Sequence, residues 1–296
     1  MPSESGITIP RFLLLVGLLL ALPSLLFARQ SNPQPPKPAD LTLEAILIRL
    51  QNNLTVYRAT VPDFFCDEHV VSAMYIQHQP YGRTTTDSIF RLRRLEARKS
   101  LTDKSGADDS GADKLIHRFI ESREIKTVDK KPAKKQGLSG PAIFAGAFSN
   151  ALQVVSLELS RCYNYHLVPH QRLHRRPVLV IDYALKDTAI NDQACPGPEP
   201  HSGRAFIDPQ TMEIVRMEQR TPNHEINPGV YGPWVWSIDY AEVIFNDTPF
   251  WMPKTVTSTA TAKDSRFEWT FVATYRDYHK LTVTSRILPE VDYNPK

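Results

Sequence analysis

Apolar and polar residues alternate with period two through most of the second half of the chain, the mark of strands with one buried and one wet face. A first pair spans residues 203–208 and 212–218, joined at Asp208-Pro209-Gln210-Thr211. Proline presets φ there, and Asp and Thr can bond the local backbone. Residues 234–245 place Trp234, Trp236, Ile238, Tyr240 and Ile244 on one side, with Ser237, Asp239 and Ala241 on the other. After an Asn246-Asp247-Thr248-Pro249 turn comes a strand over 250–260, and a last one sets Phe267, Trp269, Phe271, Ala273 and Tyr275 against Glu268, Thr270, Thr274 and Arg276. The apolar side is rich in aromatic rings, so it needs a cover.

Upstream the period changes. Asp40 is a candidate helix N-cap, and Leu43, Ile46, Leu47, Leu50, Leu54 and Tyr57 form one stripe along a helix of about 18 residues that Pro62 ends. Strands follow at 64–76, 84–97 (after a Tyr81-Gly82 turn) and 115–128, the first with Cys66, Glu68, Val70, Ser72, Met74 and Ile76 on one side. Ser139-Gly140-Pro141 predicts a second helix, since proline is well tolerated in a first helical turn; its stripe is Ile143, Phe144, Phe148, Leu152 and Val155. Strands at 157–168 and 177–185 complete the set. The pattern predicts an α+β protein with an antiparallel sheet of about ten strands covered by two principal helices, in one domain over residues 40–283 with a tail at 284–296. The Pro/Gly-rich loops at 196–203 and 222–233 are too short to be domain linkers.

Composition adds an address. Arg11, an apolar run over 12–27 and then Ala28 before a polar stretch predict a signal peptide over residues 1–28, cleaved near Ala28, with an uncleaved anchor as the alternative. Residues 29–39 are a proline-rich spacer. Removing 1–28 takes away one Glu and one Arg, so the net charge stays at +3, too mild and too scattered to predict a nucleic-acid partner. The basic run Lys130-Lys131-Pro132-Ala133-Lys134-Lys135 predicts a solvated loop, or a peripheral contact with anionic lipid or an acidic partner. In an oxidising compartment the three cysteines allow one internal bridge; Cys162 and Cys195 bracket a predicted hairpin and are the candidate pair, against an alternative of three buried thiols with Cys66.

Catalytic chemistry is hard to find. Cys162, His166, His170 and His174 are four apart, but Pro169 argues against a helix, and on a strand residues four apart are roughly 13 Å from each other, too far to share an ion. Only His170 and His174, in a predicted loop, could still converge, so no metal site is assigned. The Ser-Gly-Ala-Asp repeat within 102–113 lacks the ligand order of a calcium loop and predicts a hairpin insertion. There is no nucleophile elbow, phosphate-binding glycine loop or His-Glu-x-x-His, and His224-Glu225 stands alone in a loop. No cofactor is expected. Asn53-Leu54-Thr55 and Asn246-Asp247-Thr248 fit the glycosylation pattern.

Several phrases carry a likeness: Tyr57-Arg58-Ala59-Thr60-Val61-Pro62-Asp63-Phe64-Phe65-Cys66, Gly203-Arg204-Ala205-Phe206-Ile207-Asp208-Pro209, Asp239-Tyr240 with Phe250-Trp251-Met252-Pro253, and Tyr275-Arg276-Asp277-Tyr278. With the order of elements, they resemble the bacterial outer-membrane lipoprotein carrier (LolA-like) superfamily, and within it exported members labelled lipoprotein-sorting-like. The resemblance spans nearly all of 40–283; the insertion at 102–113 and the cysteines depart from it. It implies an open half-barrel whose inner face, under helices, holds acyl chains. The carriers' own functional residues have no one-to-one counterparts here; the chain's aromatic face itself supplies the expected ligand-lining residues, Trp234, Trp236, Tyr240, Phe267, Trp269 and Phe271 from the sheet and Phe144 and Phe148 from the covering helix. The expectation is an exported, non-enzymatic periplasmic or secreted protein that binds a lipid, acyl chain or lipidated protein. The alternative is an envelope interaction module with a protein partner, in which the same rings are a filled core.

Overall fold

The computed structural model describes residues 42–98, 115–133, 146–148, 151–264 and 266–282, and of residues 95–98, 115–118 and 170 only the backbone. The predicted signal peptide, spacer, 102–113 insertion, opening turn of the second helix with Phe144, and C-terminal tail lie outside these residues. One α-helix, α1 (Leu43–Thr60), precedes eleven strands: β1 (Phe64–Ile76), β2 (Gln79–Arg98), β3 (Leu115–Val128), β4 (Lys131–Pro132), β5 (Tyr163–Leu173), β6 (Arg176–Leu185), β7 (Ser202–Ile207), β8 (Ile214–Asn227), β9 (Val230–Phe245), β10 (Thr248–Thr261) and β11 (Phe267–Lys280). They form one open antiparallel sheet in the order β4-β3-β2-β1-β11-β10-β9-β8-β7-β6-β5. All neighbours but one are also sequence neighbours. The exception is β1 beside β11, which ties the start of the domain to its end.

Turn chemistry sets the hairpins. Four of them turn on two successive non-glycine residues with positive φ, Gln77-His78, Asp129-Lys130, His174-Arg175 and Asn246-Asp247, whose backbone twist matches that of the flanking strands. The predicted Tyr81-Gly82 turn is therefore displaced: the chain reverses at Gln77-His78, which carry no glycine signal, and Tyr81 and Gly82 continue β2. At the β7–β8 turn Asp208 Oδ1 accepts from Gln210 N at 2.8 Å and Thr211 N at 3.2 Å. The predicted loop at 222–233 is mostly strand. Pro222 and Pro233 both fall where the β8–β9 register slips, between Thr221 and His224, so their missing N–H groups interrupt no regular ladder position.

Two further expectations are corrected. The helix N-cap is Thr42, whose Oγ1 accepts from Ala45 N at 3.2 Å. The second principal helix is not formed among the described residues. Gly146 sits at φ 88° and Ser156 is extended at φ −132°, neither of which an α-helix admits, and the predicted stripe is carried instead by short 3₁₀ turns at Ala151–Val154 and Leu157–Leu159. That shift also starts β5 at Tyr163 rather than 157. The two-residue strand β4, in the basic loop, makes the eleventh.

The core lies on one face of the sheet. Ile46, Leu47, Leu50, Leu54 and Tyr57 of α1 are buried, as are Phe64, Phe90, Ile207, Met217, Ile238, Met252, Ala273 and Tyr275 from the strands. Phe148 is 1% exposed and stacks on Phe90 at 4.5 Å, while its carbonyl accepts from Tyr57 Oη at 2.9 Å, so Phe148 links α1 to the sheet. Tyr183 lies across Gly203 on the next strand and donates to the Glu218 carbonyl at 2.9 Å; a Cβ at position 203 would meet that carbonyl oxygen at 2.0 Å, so only glycine lets the ring pass. An ionic pair interrupts the apolar face. Glu68, 2% exposed, receives both carboxylate bonds from Arg123 Nε at 2.9 Å and a third from Ser88 Oγ at 2.9 Å, and the guanidinium sits 4.8 Å from the centre of the Phe90 ring.

Candidate functional site

The aromatic face divides into two parts along the strands. Trp236, Tyr240, Phe271 and Phe148 are buried at 5%, 6%, 6% and 1% exposure and belong to the filled core. Towards the other ends of the same strands, Trp234, Phe267 and Trp269 are only half-buried. Register places Trp269 opposite Met74 on β1 and opposite Ala260 on β10, while Ala260 in turn faces Trp234 on β9. One row across four strands thus reads Trp234, Ala260, Trp269, Met74. Behind it runs Trp236, Ser258, Phe271, Ser72. Small residues between large rings make a corrugated surface, with shallow grooves along the strand direction. Phe267 extends it, stacked on Trp269 at 5.8 Å and facing Ile76.

The lip of this surface is fixed by polar contacts. Trp234 Nε1 donates to Ser258 Oγ at 2.7 Å, and the His224 ring stacks on the Trp234 indole at 4.5 Å. His224 Nδ1 lies 2.7 Å from Glu199 Oε2. Glu199 belongs to the 186–201 loop, whose His201 meets the buried Tyr163 hydroxyl at 2.7 Å. Burial lowers the His201 pKa, which keeps the ring neutral and able to serve this contact. The loop is stapled to the start of β5 by a Cys162–Cys195 disulfide, with Cα atoms 5.6 Å apart. Cys66 is a buried free thiol whose pKa is pushed far up by burial, so it is not a reactive nucleophile. Replacing Cys162 and Cys195 by Ser releases a crosslink of sequence separation 33. The expected cost is about 2 to 4 kcal/mol in a urea titration.

A second opening lies at the other end, where α1 meets the β7–β8 and β9–β10 turns around a cavity of about 160 Å³ that includes Leu50, Leu54, Tyr57, Phe250 and Trp251. Asn53 Nδ2 ties helix to hairpin, donating to the Met212 carbonyl at 2.9 Å and to Glu213 Oε1 at 3.2 Å. Burial pushes the Glu213 pKa up from 4.5 to about 7. A carboxyl that binds its proton more tightly folded than unfolded stabilises fully below the unfolded pKa, and that stability is lost as pH rises through the folded one. The melting temperature is therefore expected to fall between pH 4.5 and about 7, and Glu213→Gln to flatten that slope.

Phe144 is the one predicted lining residue outside the described set, and Ile244, predicted on the aromatic side, is 62% exposed. Past Tyr240 the buried parity changes, so that Val243 and Phe245 face the core instead; the β9–β10 register slips at Pro253/Thr255, directly opposite. Sequence reasoning placed Met74 and Ile76 on the correct side of β1 but did not connect them to Trp269 and Phe267, because pairing between the first and last strands leaves no local signal. Among the described residues no group of three His, Cys, Asp or Glu side chains is placed to hold a metal, and no helix is long and apolar enough to cross a membrane.

No protein-family model matches the chain, and no curated protein matches it. Its fold is similar to solved structures at low identity. A Vibrio parahaemolyticus domain named for outer membrane lipoprotein sorting has TM-score 0.37 and 11% identity, over 82% of this chain and 95% of that one. A LolA superfamily protein from Nitrosomonas europaea has TM-score 0.34 and 11% identity over 84% and 96%. A DUF1329 family protein from Desulfovibrio piger has TM-score 0.35 and 8% identity over 81% and 95%.

Proposed function

We propose that this chain is an exported, non-enzymatic protein that binds an apolar chain, such as a lipid acyl group or the acyl part of a lipidated protein, on the open end of its aromatic face. The observation that carries the reading is the row Trp234, Ala260, Trp269 and Met74, in which half-buried Trp234, Trp269 and Met74 flank a small buried Ala260 and adjoin the buried row of Trp236 and Phe271. Apolar area removed from water there is worth about 25 cal/mol per Å², and the small–large alternation suits a linear chain laid between rings. The disulfide supports an oxidising compartment such as the bacterial envelope.

A second reading is favoured by the other rings. Trp236, Tyr240, Phe271 and Phe148 are core, as in an envelope interaction module that carries no ligand. Native mass spectrometry of the chain purified from the periplasm of an expression host, with solvent extraction of what is bound, separates the two. A stoichiometric lipid, or saturable uptake of a fluorescent fatty acid, is the result expected of a carrier. A bare mass with no uptake would overturn that reading and favour the module.

A further inference from the structure

A large concavity lies on the opposite face from the core. It is a trough of about 800 Å³ that runs across β5 to β10, within the range of small-molecule sites. A twisted sheet is saddle-shaped, so the face away from the core can still be concave along one diagonal. The floor of the trough is built from small side chains, Ala184, Ser202, Ser237 and Thr257, with the Ser237 and Thr257 hydroxyls bonded at 2.7 Å.

Two of its three arginines are already paired. Arg204 Nε donates to Asp182 Oδ1 at 2.9 Å, and Arg216 donates through Nε to Glu218 and through Nη1 to Asp239, both at 2.7 Å. Arg220 also lines the trough; counted with Asp239, which bonds Arg216 from just outside the lining, three arginines stand against three carboxylates, a formal balance that gives an anion little net attraction. An acyl chain is equally ill served, since Val235 and Ala184 are nearly all the aliphatic lining. What the pairs do present is guanidinium N–H donors beside carboxylate acceptors in fixed planes. Each guanidinium has five N–H groups and each carboxylate about four lone-pair sites, so one or two bonds leave others for a ligand. A donor beside an acceptor is what adjacent hydroxyl groups need, because each hydroxyl both gives and accepts. Asn164, Ser202 and Thr259 add uncharged partners of both kinds.

We infer that this outer trough is a binding site for a neutral oligosaccharide, separate from the aromatic face and independent of whether that face takes a lipid. The test is isothermal titration calorimetry of the full chain with the trimers of β-1,4-linked glucose and of β-1,4-linked N-acetylglucosamine, with inorganic phosphate as the anionic probe. At least one trimer is expected to bind and phosphate is not. Ser202 is exposed, so Ser202→Trp fills the trough with little risk to folding and is expected to abolish binding. Arg204→Gln removes an exposed ion pair worth little to stability and is expected to raise Kd about tenfold. Trp269→Ala, on the other face, is expected to leave sugar binding unchanged. The assignment is overturned if neither trimer binds at millimolar concentration, if phosphate binds in preference, if both trough variants bind as the parent does, or if Trp269→Ala abolishes binding.

Discussion

Alanine at Trp236 is expected to cost about 3 to 5 kcal/mol of unfolding free energy, the range for removing a large ring from a packed core, and alanine at Trp269 well under half of that. Both indoles sit on the same face and both were expected to line a ligand surface, but Trp236 is 5% exposed against the core, whereas Trp269 is half-buried at the open end. Water already reaches part of the Trp269 ring, so its removal exposes less new apolar area and leaves no closed cavity. The ligand readout runs the other way. Uptake of a fluorescent fatty acid is expected to survive in any folded Trp236→Ala protein and to be lost or reduced at least about tenfold in Trp269→Ala. Equal stability losses at the two positions, with no uptake by the parent, would make the whole face core and end the carrier reading.

Removing the guanidinium of Arg123 is expected to be as damaging as any single core truncation. Arg123 and Glu68 side chains are 11% and 1% exposed, so Arg123→Ala leaves an enclosed carboxylate with neutral hydroxyl partners such as Ser88 and no counter-charge. Breaking such a pair costs about 3 to 5 kcal/mol, most of it the penalty of the stranded charge. Arg123→Met with Glu68→Met should recover most of the loss, because both desolvation penalties vanish together. Urea titrations of Arg123→Met, Glu68→Met and the double variant measure this coupling. A double variant no more stable than Arg123→Ala would mean that the pair holds β1, β2 and β3 through geometry that methionine cannot supply.

Most of the sheet was legible because its information is local. Alternation in β9 and β11, the Asp208 turn and the Asn246-Asp247 turn each specify a hairpin from within a dozen residues. What escaped the sequence was set by context. Gln77-His78 adopts a left-handed pair with no glycine to announce it, because the strands on either side demand that twist. The stripe from Phe148 to Val155 has helical spacing, yet Gly146 and Ser156 take conformations that confine it to short turns. The candidate site was half legible for the same reason. Strand parity placed Trp234, Trp236, Trp269 and Phe271 on one face, but which of them are covered depends on what packs where along strands of 14 to 16 residues, and the alternation itself does not contain that position.

The pairing of β1 with β11 also has a kinetic meaning. From β5 to β11 every contact in the ladder joins consecutive strands, so that half can form hairpin by hairpin with short loops to close. The amino-terminal arm has no such route to the rest of the sheet. Val70 meets Ala273 and Met74 meets Trp269 across most of the domain, and a contact that distant is slow to form because the loop must be closed before any bond rewards it. A chain delivered amino-terminus first would hold Phe64, Phe90 and the Met74 row uncovered until its last strand arrived. Refolding of a variant cut before Phe267 should therefore stop with the arm undocked, and the rate at which the intact chain reaches its native state should follow the docking of β11 rather than the formation of any hairpin.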